Sequence, residues 1–325
     1  MTETLAAAPY SEIQSLSEAF WSVEHTAEWA FQRYEAARAR LPAAQFSKSA
    51  LPVTGLRDLV GDHDTFVLDA FGVINVGTSA VPGALEAVSA LQALGKRVIV
   101  LTNGASVTRE QAAEKYRGLG FAFGAEDVVS SRDVTVAALA DYPPETLWGV
   151  AAPDFARIEM LARNVIPLKD DRDAYDRAEA LLFLSSWDWS PARQTLLHAS
   201  LKANPRPLVI GNPDVVAPHE AQFSIEPGLF AHAMADDTGV APHFCGKPFK
   251  NAFDAVAAQV AATGAPLVPQ RTVMVGDTLH TDILGGAAAG LKTLLLTGYG
   301  LFRGLDVAPF IARSGVVPDY IAEGP

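Results

Sequence analysis

The sequence predicts an α/β fold: a doubly wound parallel sheet, a second α/β unit inserted into it, and a helical extension in front. Three apolar runs, at 65–68, 98–101 and 273–276, lead straight into the polar tips Asp69, Thr102 and Asp277. An open parallel sheet presents side chains in this way to the crevice beyond the carboxyl ends of its strands. Spacing is the second observation. The 33 residues from Asp69 to Thr102 are used up by a loop, a helix and a strand, whereas the 145 from Thr102 to Lys247 have room for another unit. Composition agrees, since 325 residues with 49% hydrophobic content suffice for two cores.

In chain order, residues 1–50 form the extension. Ile13, Leu16, Phe20, Val23, Ala27, Ala30 and Tyr34 recur at steps of three and four. That is one face of a helix of about 25 residues, opened by Ser11 with Gln14 in capping-box spacing. Such a stripe must be covered by the core of the same chain, by a second copy in a homodimer, or by folding over the functional site. The stretch 42–52 reads as a linker.

The sheet core is expected at 51–142 and 243–325, with the inserted unit at 143–242. In the first part a helix at 83–94 joins the strands that end at Asp69 and Thr102. In the insert, 181–184 and 208–210 read as strands and 191–203 as a helix. Trp187, Asp188 and Trp189 follow the first of those strands, and Asn212, Pro213 and Asp214 follow the second. An aromatic pair with a carboxylate suits a flat or partly apolar ligand, although either tryptophan can equally be a packing residue. Asn212 and Asp214 can equally be turn residues before Pro218. The core resumes with Gly246-Lys247-Pro248 and ends its last motif at Asp282.

The charge balance excludes some functions. With 25 basic and 37 acidic residues the net charge is −12, which argues against nucleic acid or an anionic membrane as partner. The single cysteine, Cys245, rules out an internal disulfide framework and a cysteine-rich zinc site, and the seven histidines show no metal-ligand spacing. The N-terminus carries no signal-like stretch and no segment approaches ~18 apolar residues, so a cytoplasmic location is expected.

Four segments stand in a telling order: Phe66-Val67-Leu68-Asp69-Ala70-Phe71-Gly72, Val100-Leu101-Thr102-Asn103-Gly104, Gly246-Lys247-Pro248, and Gly276-Asp277 followed by Asp282. Together they resemble the haloacid dehalogenase (HAD) superfamily, subfamily IIA, whose pyridoxal, p-nitrophenyl and sugar phosphatases carry a large type 2 cap. The likeness runs from about Phe66 to Gly298 and includes Asn212-Pro213-Asp214 and Ser224-Ile225-Glu226-Pro227-Gly228.

The resemblance implies a Rossmann-like core with a cap at 143–242, and Mg2+-dependent hydrolysis of a small phosphorylated metabolite. Asp69 would be the nucleophile that forms an aspartyl-phosphate. Asp69, Asp277 and the Phe71 carbonyl would hold the metal, which needs oxygen ligands and keeps several waters. Thr102 would give the phosphoryl group a hydroxyl, and Asn103 and Gly104 their backbone N–H groups at the start of a helix. Lys247 would keep Asp69 ionised and clamp the transferring oxygens, and Asp282 would orient that lysine or a metal-bound water. Trp187, Asp188 and Asn212 would face the substrate from the cap.

One position departs from the pattern. Most members have Asp-x-Asp-Gly as the first motif, and here the third residue is Phe71, so the usual general acid is missing. That leaves open a phosphate-ester-binding protein with an impaired site, or a hydrolase acting on a carbon–halogen or P–C bond. Against the last two stand the short stretch between Asp69 and Thr102, which has no room for their cap, and the retained Asp277.

Overall fold

The computed structural model describes residues 21, 23–161, 163–219 and 222–325. A seven-stranded sheet runs Leu51–Pro52, Tyr320–Ala322, Lys292–Leu296, Thr272–Gly276, Thr65–Leu68, Arg97–Thr102, Val128–Ser130 from edge to edge. Every neighbouring pair in it is parallel.

Both faces of this sheet are covered. Phe66, Leu68, Val98, Val100, Val273 and Val275 pack with Leu91, Tyr116 and Phe123. Their neighbours Val67, Ile99, Leu101 and Met274 pack on the other face with Phe253, Val256 and Val260. Two buried faces are why the strands read as unbroken apolar runs rather than as alternation.

Register brings the polar tips together. Leu68 pairs with Val275 on one side and Val100 on the other, so Asp69 emerges between the ends that carry Asp277 and Thr102. The chain order turns back at this strand, which makes its carboxyl end the switch point where an open α/β sheet binds ligands.

A second sheet, again all parallel, runs His243–Phe244, Leu208–Ile210, Ala180–Phe183, Leu147–Ala151, Asn164–Pro167. The helix Pro191–Ala203 starts where the Ser190 hydroxyl accepts from Arg193 N (3.3 Å) and proline takes the first turn, where its missing N–H costs nothing. The His243–Phe244 strand carries this sheet past residue 242, because Phe244 belongs to its apolar core. An antiparallel hairpin, Val216–Pro218 with Phe223–Ile225, stands beside the sheet.

Of the N-terminal stripe, Ile13, Leu16 and Phe20, with the Ser11 start, lie outside the described residues. The expected single helix is not what the rest forms. Residues 23–26 are not helical and Val23 is exposed, and a new helix, Ala27–Ala36, starts with the Thr26 hydroxyl accepting from Trp29 N (3.1 Å). Its face of Ala27, Ala30, Phe31 and Tyr34 is buried against Leu279, Ile283, Phe302 and Phe310 of the same chain. Tyr34 stacks on His280 with ring centroids 5.1 Å apart, and its hydroxyl accepts a hydrogen bond from Val215 N (3.0 Å) at the foot of the hairpin. The expected linker at 42–52 ends in an ordered edge strand, Leu51–Pro52, where proline is tolerated.

Candidate active site

Asp69, Asp277 and Lys247 converge where the register places them. Lys247 Nζ lies 2.5 Å from Asp69 Oδ1 and 2.7 Å from Asp282 Oδ1. The other oxygen of Asp282 accepts the backbone N–H of Asp277 and of Thr278, each at 3.1 Å, which fixes the carboxylate that holds the lysine. Asp277 accepts from the Thr278 hydroxyl (2.9 Å) and from Leu301 N (2.7 Å). Two glycines make room for it. A Cβ on Gly300 would stand 1.9 Å from Asp277 Oδ2, and one on Gly72, whose φ is +75°, would stand 2.8 Å from the same carboxylate.

Carboxylate oxygens of Asp69, Asp277 and Asp282 all lie within 4.8 Å of one another. Burial, with Asp282 adding to it and Lys247 opposing, pushes Asp69 up to about 7. Burial and then the neighbouring Asp282 and Asp69 hold Asp277 well above the usual carboxylate range, and burial does the same to Asp214. For Lys247, burial acts downward, but Asp282, Asp69 and Asp214 outweigh it and keep the ammonium charged. Ionising Asp69, Asp214, Asp277 and Asp282 together beside Lys247 would leave negative charge in excess, and that mutual repulsion adds to burial in raising the first three. A divalent cation with oxygen ligands fits such a set.

Asn103 stitches the floor together. Its amide nitrogen donates to Asp214 Oδ1 (2.8 Å) and Lys247 O (3.0 Å), and its oxygen accepts from the Ser131 hydroxyl (3.0 Å) and Lys247 N (2.8 Å). The helix after Thr102 does not start at Asn103 and Gly104, as expected, but at Arg109. Thr108 and Gln111 form a capping box there, and Gly104 N donates to the Thr102 hydroxyl (3.1 Å).

The floor opens into a cavity of about 850 Å³ between the two sheets. Trp187 and Asn212 line it, and Trp187 is 75% exposed with its ring against Phe155 (centroids 6.1 Å apart). Trp189 also borders the cavity but is buried, its ring tilted against Phe183 (centroids 4.7 Å apart) and its Nε1 donating to Gln194, so it packs the wall. Asp188, expected to face the substrate, does not line the cavity. Lys169 (2.7 Å) and Arg193 (3.1 Å) hold its carboxylate instead.

Residues not singled out as site candidates also line the cavity: Trp21 and His25 ahead of the N-terminal helix, and His219, Ser224 and Glu226 on the hairpin. The Phe71 ring has the Lys115 ammonium 4.8 Å from its centroid and packs edge-to-face with the His219 ring, centroids 5.7 Å apart.

Comparisons agree with this arrangement. A family model described as haloacid dehalogenase-like hydrolase matches residues 66–163, and a second, HAD-hydrolase-like, matches 244–323. The human protein named glycerol-3-phosphate phosphatase is 32% identical over 305 residues, covering 82% of this chain and 89% of the relative. The Mycobacterium tuberculosis D-glycerol 3-phosphate phosphatase is 30% identical over 254 residues, 75% of this chain and 65% of its own. Among solved structures, a possible sugar phosphatase from Cytophaga hutchinsonii superposes with TM-score 0.75 at 25% identity, covering 85% of this chain and 98% of that one. The M. tuberculosis glycerol phosphate phosphatase in complex with magnesium gives 0.63 at 26% identity, covering 82% and 76%.

Proposed function

The chain belongs to the haloacid dehalogenase-like hydrolases, and on that premise we propose that it hydrolyses a small phosphate monoester with Asp69 as the attacking group. The observation that carries the reading is the position of Lys247 between Asp69 and Asp282. An ammonium 2.5 Å from the nucleophile favours its ionised form and stands ready for the oxygens of an incoming phosphoryl group.

Asp69, Asp277 and the Phe71 carbonyl would hold Mg2+, which would neutralise phosphate charge as the bond to phosphorus forms. Asp69 attacks phosphorus and becomes the aspartyl-phosphate. The Thr102 hydroxyl and the backbone N–H of Asn103 are the phosphate donors on the neighbouring strand end, with Gly104 holding the Thr102 hydroxyl in place. Asp282 keeps Lys247 aimed. The second sheet with its hairpin acts as the cap, and Trp187 and Asn212 contact the part of the substrate beyond the phosphate. Relatives named for glycerol phosphate make glycerol 3-phosphate the first substrate to try.

The test is phosphate release from p-nitrophenyl phosphate, glycerol 3-phosphate and a panel of sugar phosphates, with magnesium and with chelator, by wild type and Asp69→Asn. Release that needs magnesium and vanishes in the variant is expected. Release by Asp69→Asn would remove Asp69 as nucleophile, and silence of wild type toward every ester would favour a phosphate-ester-binding protein, the reading that Phe71 supports.

A further inference from the structure

Phe71 has no proton to give, yet an alkyl alcohol cannot leave phosphorus easily as an anion. The hairpin beside it carries a hydrogen-bonded row that ends over this residue. Glu226 Oε1 is 2.6 Å from Ser224 Oγ, Ser224 Oγ is 3.1 Å from His219 Nε2, and the His219 ring stands edge-on to the Phe71 ring. Ser224 lies in the strand paired with Val216–Pro218, His219 and Glu226 flank that ladder, and all three border the same cavity as Asp69.

We propose that Glu226 is the proton source that replaces the side chain missing at position 71, and that Ser224 and His219 conduct its proton to the leaving oxygen. This rests on the hydrolase reading above. As Asp69 bonds to phosphorus and the ester P–O bond breaks, the Glu226 carboxyl gives up its proton through the row and the alcohol leaves neutral. In the second half, water attacks the aspartyl-phosphate and the P–O bond to Asp69 breaks. The proton from that water returns along the row to Glu226, and phosphate leaves with Asp69 and Glu226 both restored. The imidazole takes a proton on one ring nitrogen and releases one from the other, so it carries no lasting charge.

The environment of Glu226 suits a carboxyl that starts protonated. Burial pushes it up to about 7, against the pull of the Ser224 hydroxyl, and its second oxygen accepts from Asn212 Nδ2 (2.9 Å). The ionisable groups sharing its cavity are His25, His219, Asp69, Asp214 and Asp277, with Lys247 paired to Asp69. A carboxylic acid kept neutral near pH 7 by its surroundings is an efficient donor there, and such assistance is typically worth ~10²–10⁴-fold.

The experiment compares kcat/KM for glycerol 3-phosphate, whose alkoxide needs a proton, with that for p-nitrophenyl phosphate, whose phenolate does not. Glu226→Gln and Ser224→Ala should each lower the first by about 10²-fold or more and leave the second within about threefold. Equal losses on both esters would make the row structural, and no loss on glycerol 3-phosphate from either variant would overturn the proposal. Asp69→Asn, which should abolish both reactions, reports on the nucleophile separately. Infrared titration of resting protein reads Glu226 without turnover: a protonated carboxyl that titrates near pH 7 and disappears in Glu226→Gln is expected, and titration in the ordinary carboxylate range would refute it.

Discussion

Replacing Tyr34 by phenylalanine tests whether the N-terminal helix is held by a specific bond or by apolar contact alone. Tyr34 and Val215 are both buried, at 1% and 0% exposure, and the phenol oxygen accepts the Val215 N–H at 3.0 Å. Tyr34→Phe keeps the ring and its stacking on His280 but strands a buried backbone donor, which costs about 1–3 kcal/mol. Tyr34→Ala removes the ring as well and should cost about 3–5 kcal/mol, in the range seen when large aromatic side chains are deleted from cores. Urea unfolding midpoints, with the slope checked for constancy, measure both. Val215 adjoins Asp214 in the cavity wall, so KM for the phosphate ester should rise in Tyr34→Phe as the hairpin loosens. A Tyr34→Phe protein within ~0.5 kcal/mol of wild type, beside a strongly destabilised Tyr34→Ala, would refute the bond and leave packing as the whole attachment.

Three further outcomes follow from the geometry. Burial, with Arg40 adding to it, lowers His232 to about 4, so the folded state resists its protonation. Its contribution is present above the unfolded value near 6.5 and is lost as pH falls toward 4. Wild type should therefore lose about 2–3 kcal/mol more than His232→Gln between pH 7 and pH 4 in urea titrations. Magnesium titration by calorimetry should give binding to wild type and at least tenfold weaker binding to Asp277→Asn, and equal binding would remove Asp277 from the metal site. Gly300→Ala pushes a methyl onto Asp277 Oδ2 and should weaken magnesium binding by a similar factor with little change in circular dichroism. Unaltered binding there would mean that Asp277 can move aside.

The strand ends were readable because their chemistry is local. Apolar runs buried on both faces leave a long signature, and the polar residue that terminates each is fixed by the same register that pairs Leu68 with Val275 and Val100. The role of Asp188 is not legible in the sequence, because its partners, Lys169 and Arg193, reach it from other elements. The stripe from Ile13 to Tyr34 gave no warning of a break, since Thr26 sits between apolar positions of one helical period and becomes a cap only through its bond to Trp29 N. After Thr102 the sequence does carry a signal: Thr108 and Gln111 stand in capping-box spacing and mark where that helix starts. The row from Glu226 to His219 depends on hairpin register, which residue types alone do not set.

Asn103 limits how this architecture can be recombined. An amide has two donors and two acceptor sites, and here all four are taken, by Asp214, Ser131, and the N–H and carbonyl of Lys247. An aspartate of the same shape could not supply the donors, and an alanine would release three neighbours at once. Grafting the inserted sheet of a related hydrolase onto this core would therefore succeed only if residues 103, 131, 214 and 247 travelled as a set. Swapping any one of them breaks the joint between the inserted sheet and the lysine beside Asp69.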